Sequence, residues 1–434
     1  MKTSDIHCEM NTFQHRYTFI DLFAGAGGLS EGFIQAGFSP VAHVEMNEAA
    51  CQTLETRLAY YCLKKTNNIK SYYDYLQGRV NRSSLIKMIP ASVLKTVICK
   101  TMSEDTLPEI FRTIDGIMKL KGLKKVDVII GGPPCQAYSL VGRAQNSHMK
   151  TPITEDPRNN LYKLYARFLI RYQPTMFVFE NVMGIESANN GKTWKNLKKY
   201  LRRVGYEIEC REQNARYFGV LENRRRMIIV GWLKESGLCY PDFVKNEVNA
   251  IVNDLFRDLP VLHPGEEKSN YLTQPASDYV RKNGIRGEKD VLTLHQSRPH
   301  NPRDIEIYKR AIELWNKGKK RLNYNELPDE LKTHRNRGSF IDRFKVVEGT
   351  SPCCHTVLAH LAKDGHYFIH PDIKQHRSIT VREAARIQSF PDNYFFEGPR
   401  SAQFTQIGNA VPPIMAKGIA EGIIRQLESM GNVK

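Results

Sequence analysis

The sequence predicts an α/β fold, a doubly wound and mostly parallel seven-stranded sheet, accompanied by a second, smaller, loop-rich domain. Three observations predict it. Short β-branched runs alternate with stretches that carry apolar residues at helical spacing through about the first 230 residues, the pattern of βαβ units. A glycine-rich turn, Asp21-Leu22-Phe23-Ala24-Gly25-Ala26-Gly27-Gly28, stands where the first strand should pass into the first helix. From about Pro241 the apolar runs shorten, Pro and Gly become frequent, and basic clusters appear, notably Lys317 to Arg321 and His334 to Arg337.

The seven strands are expected at Tyr17 to Phe23, Val41 to Glu45, Thr96 to Lys100, Val126 to Ile130, Met176 to Glu180, Tyr206 to Cys210 and Arg226 to Gly231. Helices are expected over Ser30 to Ala36, Glu48 to Leu63, Leu161 to Tyr172 and Trp194 to Val204, where apolar residues recur three and four apart. Lys64 to Pro90, with Tyr72, Tyr73 and Tyr75, reads as an irregular insertion between the second and third strands. After the loop-rich part, Val381 to Gln388 and Pro413 to Glu428 regain helical periodicity. Residues 1–240 are therefore expected to form one α/β domain, completed by a C-terminal helix within 411–434. Residues 241–410 would make the second domain and its connecting segment. There is no internal repeat or low-complexity tract.

Composition narrows the function. The 434 residues include 63 Lys+Arg against 46 Asp+Glu, a net charge of +17. With 41% hydrophobic and 25% charged residues the chain is an ordinary globular protein, which excludes wholesale disorder, collagen and coiled coil. No window approaches the ~18 uninterrupted apolar residues of a membrane span, and Met1 to Met10 lacks a signal-peptide pattern, so a cytoplasmic protein is expected. The 9 cysteines are scattered, with no Cys-x-x-Cys, which argues against a disulfide framework or a metal site. The excess of positive charge points to a polyanionic partner, because Lys and Arg that neutralise phosphates supply sequence-independent affinity for nucleic acid.

At the first turn, Gly25, Gly27 and Gly28 would let backbone approach a ligand closely. Glu45, at the end of the second strand, lies 20 residues beyond Gly25, the offset at which a carboxylate can receive ribose hydroxyls. Ser30 stands where a dinucleotide fingerprint needs its third glycine, so a nucleoside cofactor without a pyrophosphate fits better. A plain tight turn, with Glu45 as a solvated strand end, is the competing reading. After the fourth strand, Gly131-Gly132-Pro133-Pro134-Cys135-Gln136 places a cysteine behind a rigid backbone at the crevice edge, suited to a thiolate nucleophile. Phe179-Glu180-Asn181-Val182 brings a carboxyl to the same edge, and Asn223-Arg224-Arg225-Arg226 brings guanidinium groups.

With these residues in view, the chain resembles the DNA cytosine-5 methyltransferases. The resemblance is carried, in order, by DLFAGAGGLSEGF (21–33), VEMN (44–47), GGPPCQAYS (131–139), FENV (179–182), QNARYFGVLENRRRMIIVG (213–231), ITVREAARIQSFPD (379–392) and QIGNAVPP (406–413). It implies the Rossmann-like methyltransferase fold and S-adenosyl-L-methionine as cofactor. Phe23 and Met46 would then flank the adenine, Glu45 would hold the ribose, Asp105 would take the adenine amine, and Asn409 and Ala410 would close the methionine end, with Pro133 and the turn glycines as further contacts. Cys135 would add to carbon 6 of cytosine, Glu180 would hold a proton at N3, Arg226 would bind O2 and Arg224 would support the pocket. Leu221-Glu222 replaces the Pro-Gln that the family carries before its arginines.

A base stacked in a duplex is out of reach of such residues, so the target must be flipped out, as is general for base methyltransferases. The loop 137–160, with Gly142, Arg143 and Arg158, would close over it. Residues 241–347 would be the target-recognition domain, with Arg298, Asn301, Arg303, Arg335 and Arg337 as candidate DNA contacts. The implied partner is double-stranded DNA and a monomer suffices for one-sided flipping. The implied setting is a restriction-modification system with a cognate endonuclease. A transfer-RNA cytosine-5 methyltransferase, a catalytically silent DNA-binding relative and a nucleotide-dependent oxidoreductase are the alternatives; Ser30 disfavours the last.

Overall fold

The computed structural model describes residues 17–133, 161–183, 191–335, 338 and 340–430. Among the described residues the strands are β1 (Tyr17–Leu22), β2 (Phe38–Glu45), β3 (Val97–Cys99), β4 (Val128–Gly131), β5 (Met176–Asn181), β6 (Tyr206–Asn214), β7 (Glu222–Asn223), β8 (Arg225–Leu233) and β9 (Cys354–His355). All seven expected strands join one sheet, in the order β3-β2-β1-β4-β5-β8-β6. Pairing is parallel from β3 to β5, and β8 runs antiparallel to both β5 and β6. The chain order reverses between β1 and β4, so the crevice outside their carboxyl ends is where a doubly wound sheet takes its ligand.

The strands alternate faces with a period of two. Ile20, Leu22, Ile129, Phe177 and Phe179 bury one face under the helices Leu107–Leu120, Leu161–Tyr172 and Lys192–Arg203. Phe19, Ile130, Val178 and Ile228 bury the other under Gly28–Gln35 and Pro413–Ser429. These two helices touch so closely that a Cβ on Gly32 would lie 2.4 Å from the Ala416 Cβ, so only glycine fits there.

The helices Leu107–Leu120 and Arg400–Asn409 were not expected from the sequence, and two further regions depart from it. The stretch expected to be irregular forms the helices Ile69–Leu76 and Arg82–Lys87. The Tyr72 hydroxyl donates to the Asn393 carbonyl at 2.7 Å, Tyr75 donates to Glu397 at 2.7 Å and Tyr73 donates to Asp290 at 3.0 Å. Those partners lie more than two hundred residues away, so local periodicity gives no hint of them. The second departure is the helix Pro302–Gly318 inside the loop-rich region. Asn301 caps it by accepting from the Asp304 amide at 2.8 Å, and Ile307, Tyr308 and Ile312 pack with Phe340 and Phe344 in a small core of their own.

The segment 377–392 is anchored by buried charge. The helix Val381–Ile387 has a capping box between Thr380 and Glu383, and every one of its residues is buried. Arg386 bonds Asp258 at 2.6 Å and Asp392 at 2.6 Å, and Arg377 bonds Glu383 at 2.7 Å, with all three arginines of this segment inaccessible to solvent. Such pairs fix one arrangement of the chain, because a lone partner would be a buried unpaired charge. Among the described residues no helix is long and apolar enough to cross a membrane.

Candidate active site

The first turn is built around Glu45. Its Oε2 accepts from the Gly25 amide at 2.8 Å, and its Oε1 accepts from the Met46 and Asn47 amides at 2.9 and 2.8 Å. A carboxylate has about four acceptor positions, so one on Oε2 is left for a ligand hydroxyl. Met46 is 62% exposed, an apolar side chain held at the surface next to that carboxylate, and half-buried Phe23 adopts φ +58° as β1 turns away. Gly25, with φ +54°, has open space where a Cβ would point.

The other two glycines are required by packing as well. A Cβ on Gly27 would meet Leu54 at 2.6 Å, and on Gly28 it would meet the Val411 carbonyl at 2.3 Å and the Ala410 Cβ at 3.1 Å. They allow protein to pack closely on protein. The same contact brings Ala410 to the first turn, with Asn409 exposed beside it at the end of the helix Arg400–Asn409. Asp105 is exposed in the turn before the helix Leu107–Leu120.

Ser30 has a clear task. Its hydroxyl donates to Asp21 Oδ2 at 2.5 Å, while Asp21 Oδ1 is buried with no hydrogen-bond partner among the described residues. Burial, and to a lesser extent the charge of Glu45, push the Asp21 carboxyl up to about 7, against the opposing effect of the Ser30 bond. The unfolded chain loses this proton near the ordinary value of 3.8, whereas the native protein keeps it to about 7. Stability contributed by the protonated acid is thus present at low pH and lost as pH rises through that window. Asp21→Asn should flatten the decline by up to about 4 kcal/mol. Urea denaturation at pH 4.5 and 7.5 measures it, and parallel profiles for the two proteins would count against the buried acid.

On the catalytic side, the end of β4 is wedged between β1 and β5. A Cβ on Gly131, at φ +127°, would fall 1.9 Å from the Leu22 carbonyl oxygen. On Gly132 it would fall 2.0 Å from the Glu180 carbonyl oxygen and 3.2 Å from Glu180 Oε2. Two glycines are therefore required before buried Pro133, and they bring the chain against Glu180. Cys135, Gly142, Arg143, Arg158 and Arg337 lie outside the described residues.

Glu180 Oε1 is paired with Arg226 Nε at 2.7 Å, with both side chains partly open to solvent. Antiparallel pairing explains the meeting: Glu180 sits opposite Ile228, so Arg226, two residues along β8, is its diagonal neighbour on the same face.

Arg224, expected to support the pocket, lies in the interior. It is fully buried, donating to the carbonyls of Val357 at 2.7 Å, Gly408 at 3.0 Å and Ala410 at 2.8 Å. It cannot touch a substrate base; it is a positioning residue that holds the 408–410 segment at the first turn. Its neighbour Glu222 is also buried and accepts from the Val357 amide at 2.6 Å, and burial raises its carboxyl above the ordinary value despite Arg224. The Leu-Glu replacement thus lies behind the site, within the same tether. Sequence reasoning missed this pair, because adjacent arginines give no sign of which one turns inward.

Arg298, a candidate DNA contact, is half-buried, and its guanidinium donates to the carbonyls of Leu361, Ala362 and Lys363 at 2.6, 3.1 and 2.8 Å. Arg303 is partly exposed with Asp304 at 3.6 Å, and Arg335 is exposed. Cys354 is buried where β9 pairs with β7. Among the described residues no cluster of His, Cys, Asp and Glu is placed to hold a metal ion.

Comparison with known proteins agrees with this arrangement. The family model described as C-5 cytosine-specific DNA methylase matches residues 17–75 and 84–425. The Type II methyltransferase M.Bpa9945I of Bacillus paralicheniformis is 42% identical, over 93% of this chain and 98% of its own length. The Type II methyltransferase M.XorII of Xanthomonas oryzae is 31% identical, over 94% and 84%. In fold, the chain is similar to an E. coli prophage-encoded protein assigned as a DNA modification methyltransferase, with TM-score 0.62, 22% identity and coverage of 95% and 99%. The Entamoeba histolytica methyltransferase EhMeth follows with TM-score 0.52, 13% identity and coverage of 95% and 99%. With the switch-point crevice, the Glu180–Arg226 pair and a family match spanning nearly the whole sequence, the chain belongs to the C-5 cytosine-specific DNA methylases.

Proposed function

We propose that this methyltransferase uses S-adenosyl-L-methionine to methylate carbon 5 of a cytosine flipped out of a specific double-stranded DNA sequence, protecting that DNA from a cognate restriction endonuclease. The observation that carries the reading is the Glu180–Arg226 pair at 2.7 Å, set against Gly132 three residues before Cys135. The names of its relatives support the restriction-modification setting. Open Gly25, the free acceptor position of Glu45 and exposed Met46 fit a nucleoside whose base offers a flat aromatic face, and Asn409 with Ala410 fit its amino-acid end.

When bound, the cofactor supplies an electrophilic methyl group to carbon 5. The residues of the chain make that carbon nucleophilic. The Cys135 thiolate adds to carbon 6 while Glu180 holds a proton at N3 and Arg226 binds O2, so the ring electrons move to carbon 5. Once carbon 5 carries the methyl group, its proton passes to solvent water, and the electrons of that C–H bond expel Cys135 from carbon 6 as a thiolate, which restores the aromatic ring. Arg226 also keeps Glu180 oriented before the base arrives. Within this reading, residues 1–240 with the C-terminal helix carry catalysis. Residues 241–410 carry target recognition and the connecting segment, with Arg303, Arg335 and Arg337 toward DNA and Gly142, Arg143 and Arg158 in the closing loop. The enzyme acts as a monomer in the cytoplasm.

Glu180→Gln retains size and hydrogen bonding but cannot hold the N3 proton. It should slow methyl transfer about a hundredfold or more while leaving cofactor affinity within a few fold. A loss under threefold would remove Glu180 from the chemistry. The reaction itself is tested by labelled methyl transfer to mixed-sequence duplex DNA and, separately, to transfer RNA, with nucleoside mass spectrometry. 5-Methyldeoxycytidine is the expected product; label in RNA alone would overturn the substrate, and no label in either would overturn the activity.

A further inference from the structure

The helix Lys192–Arg203, KTWKNLKKYLRR, contains six basic residues and no acidic one. Its apolar side is used inward, with Trp194, Leu197 and Leu201 buried in the sheet core. The outward side chains Lys195, Lys198, Lys199, Arg202 and Arg203, joined by Lys234 from the end of β8, line one shallow trough of about 620 Å³. Arg202 has Glu207 at 3.6 Å, whereas among the described residues Lys195, Lys198, Lys199 and Arg203 have no carboxylate within ion-pair distance. Like charges three and four residues apart repel along a helix, so this face carries a standing electrostatic cost that a polyanion would relieve.

Position and chemistry narrow the occupant. The helix follows β5, which ends in Glu180 and Asn181, so its first turn stands at the crevice edge of the sheet and its last turn at the opposite edge. Lys195 to Arg203 covers about 12 Å at 1.5 Å per residue. That is the axial length of three to four phosphates on one strand at 3.4 Å each. The trough has no apolar side chain to enter a lipid layer or anchor a protein partner.

We propose that this face is a second contact surface for duplex DNA, gripping the phosphate backbone beyond the segment that holds the target base; it rests on the reading of DNA as substrate. Contacts of this kind position without reading sequence and are felt through counterion release. The test compares Lys195→Gln/Lys198→Gln/Lys199→Gln with an equal charge change at exposed Lys95, Lys119 and Lys124, on the edge where β3 and β4 begin. Glutamine keeps the helix propensity of lysine, so the fold is retained.

The probe is a fluorescent 40-base-pair random-sequence duplex, titrated by anisotropy from 50 to 200 mM salt. The helix variant should lose at least about tenfold in affinity at 100 mM and flatten the log–log salt slope by two to three, while the control changes it by less than one. An unchanged slope, or equal loss in both variants, would overturn the surface. Failure of the wild-type enzyme to methylate DNA would instead sink the substrate reading, and the slope comparison distinguishes the two.

Discussion

Replacing Cys135 by alanine is expected to lower methyl transfer to DNA by at least about four orders of magnitude while cofactor and duplex still bind. Carbon 5 of cytosine is a poor nucleophile until a bond forms at carbon 6, and in the proposed mechanism Cys135 supplies that bond. Glu180 and Arg226 would remain paired in the variant and able to polarise the ring, but polarisation without addition leaves the ring aromatic. Single-turnover transfer measures the rate. A duplex carrying 5-fluorocytosine measures the bond, because fluorine leaves no carbon 5 proton to depart. The wild-type enzyme should be trapped in a covalent complex and the alanine variant should not. Transfer within tenfold of wild type, or trapping of the variant, would remove Cys135 from the mechanism.

Arg386→Ala should destabilise the protein by about 3–5 kcal/mol, enough to unfold a marginal domain. Its guanidinium donates to both carboxylate oxygens of Asp392 at 3.0 and 2.6 Å, to those of Asp258 at 2.6 and 3.2 Å, and to the Leu255 carbonyl at 2.6 Å. All of these groups are buried, and Arg386 holds the Asp392 carboxyl below its ordinary range against the opposing effect of burial. Without the arginine, the two carboxylates lose their closest cation and keep only Arg382, 3.5 Å from Asp392, and Arg286, 3.4 Å from Asp258. Proton uptake by Asp392 would relieve part of that loss, so the deficit should shrink as pH falls toward 5. Urea unfolding of both proteins at pH 7.5 and 5.5 reads the size and the sign. A change under 1 kcal/mol at pH 7.5 would show that the network contributes little.

What was legible in the sequence was whatever depends on local period. The seven strands lie at their expected places because each is a short apolar run bounded by turn residues, and Glu180 and Arg226 both occur at strand ends on the crevice edge. The helix Leu107–Leu120 also carries a readable signal in Leu107, Ile110, Ile114 and Ile117. The helices Ile69–Leu76 and Arg82–Lys87 were not legible, since tyrosine hydroxyls hold the first of them to carbonyl and carboxylate groups more than two hundred residues downstream. The same holds for Arg224 and Arg298. An arginine that serves three carbonyls and one that faces solvent have the same letter, and only the path of the chain around them decides.

The close contact of Gly32 with Ala416 has a consequence for how the protein is made. The helix Gly28–Gln35 emerges early from the ribosome, yet the helix Pro413–Ser429 that covers it comes about 380 residues later. At roughly 5–20 residues per second, synthesis leaves Leu29, Phe33 and Ile34 without that cover for tens of seconds. The sheet can begin to assemble in that interval, but the first turn cannot take its final form until the helix Pro413–Ser429 has been made. A chain broken off before Pro413 would present an apolar stripe in place of a binding site, and would be a target for chaperones and proteases rather than a weaker enzyme.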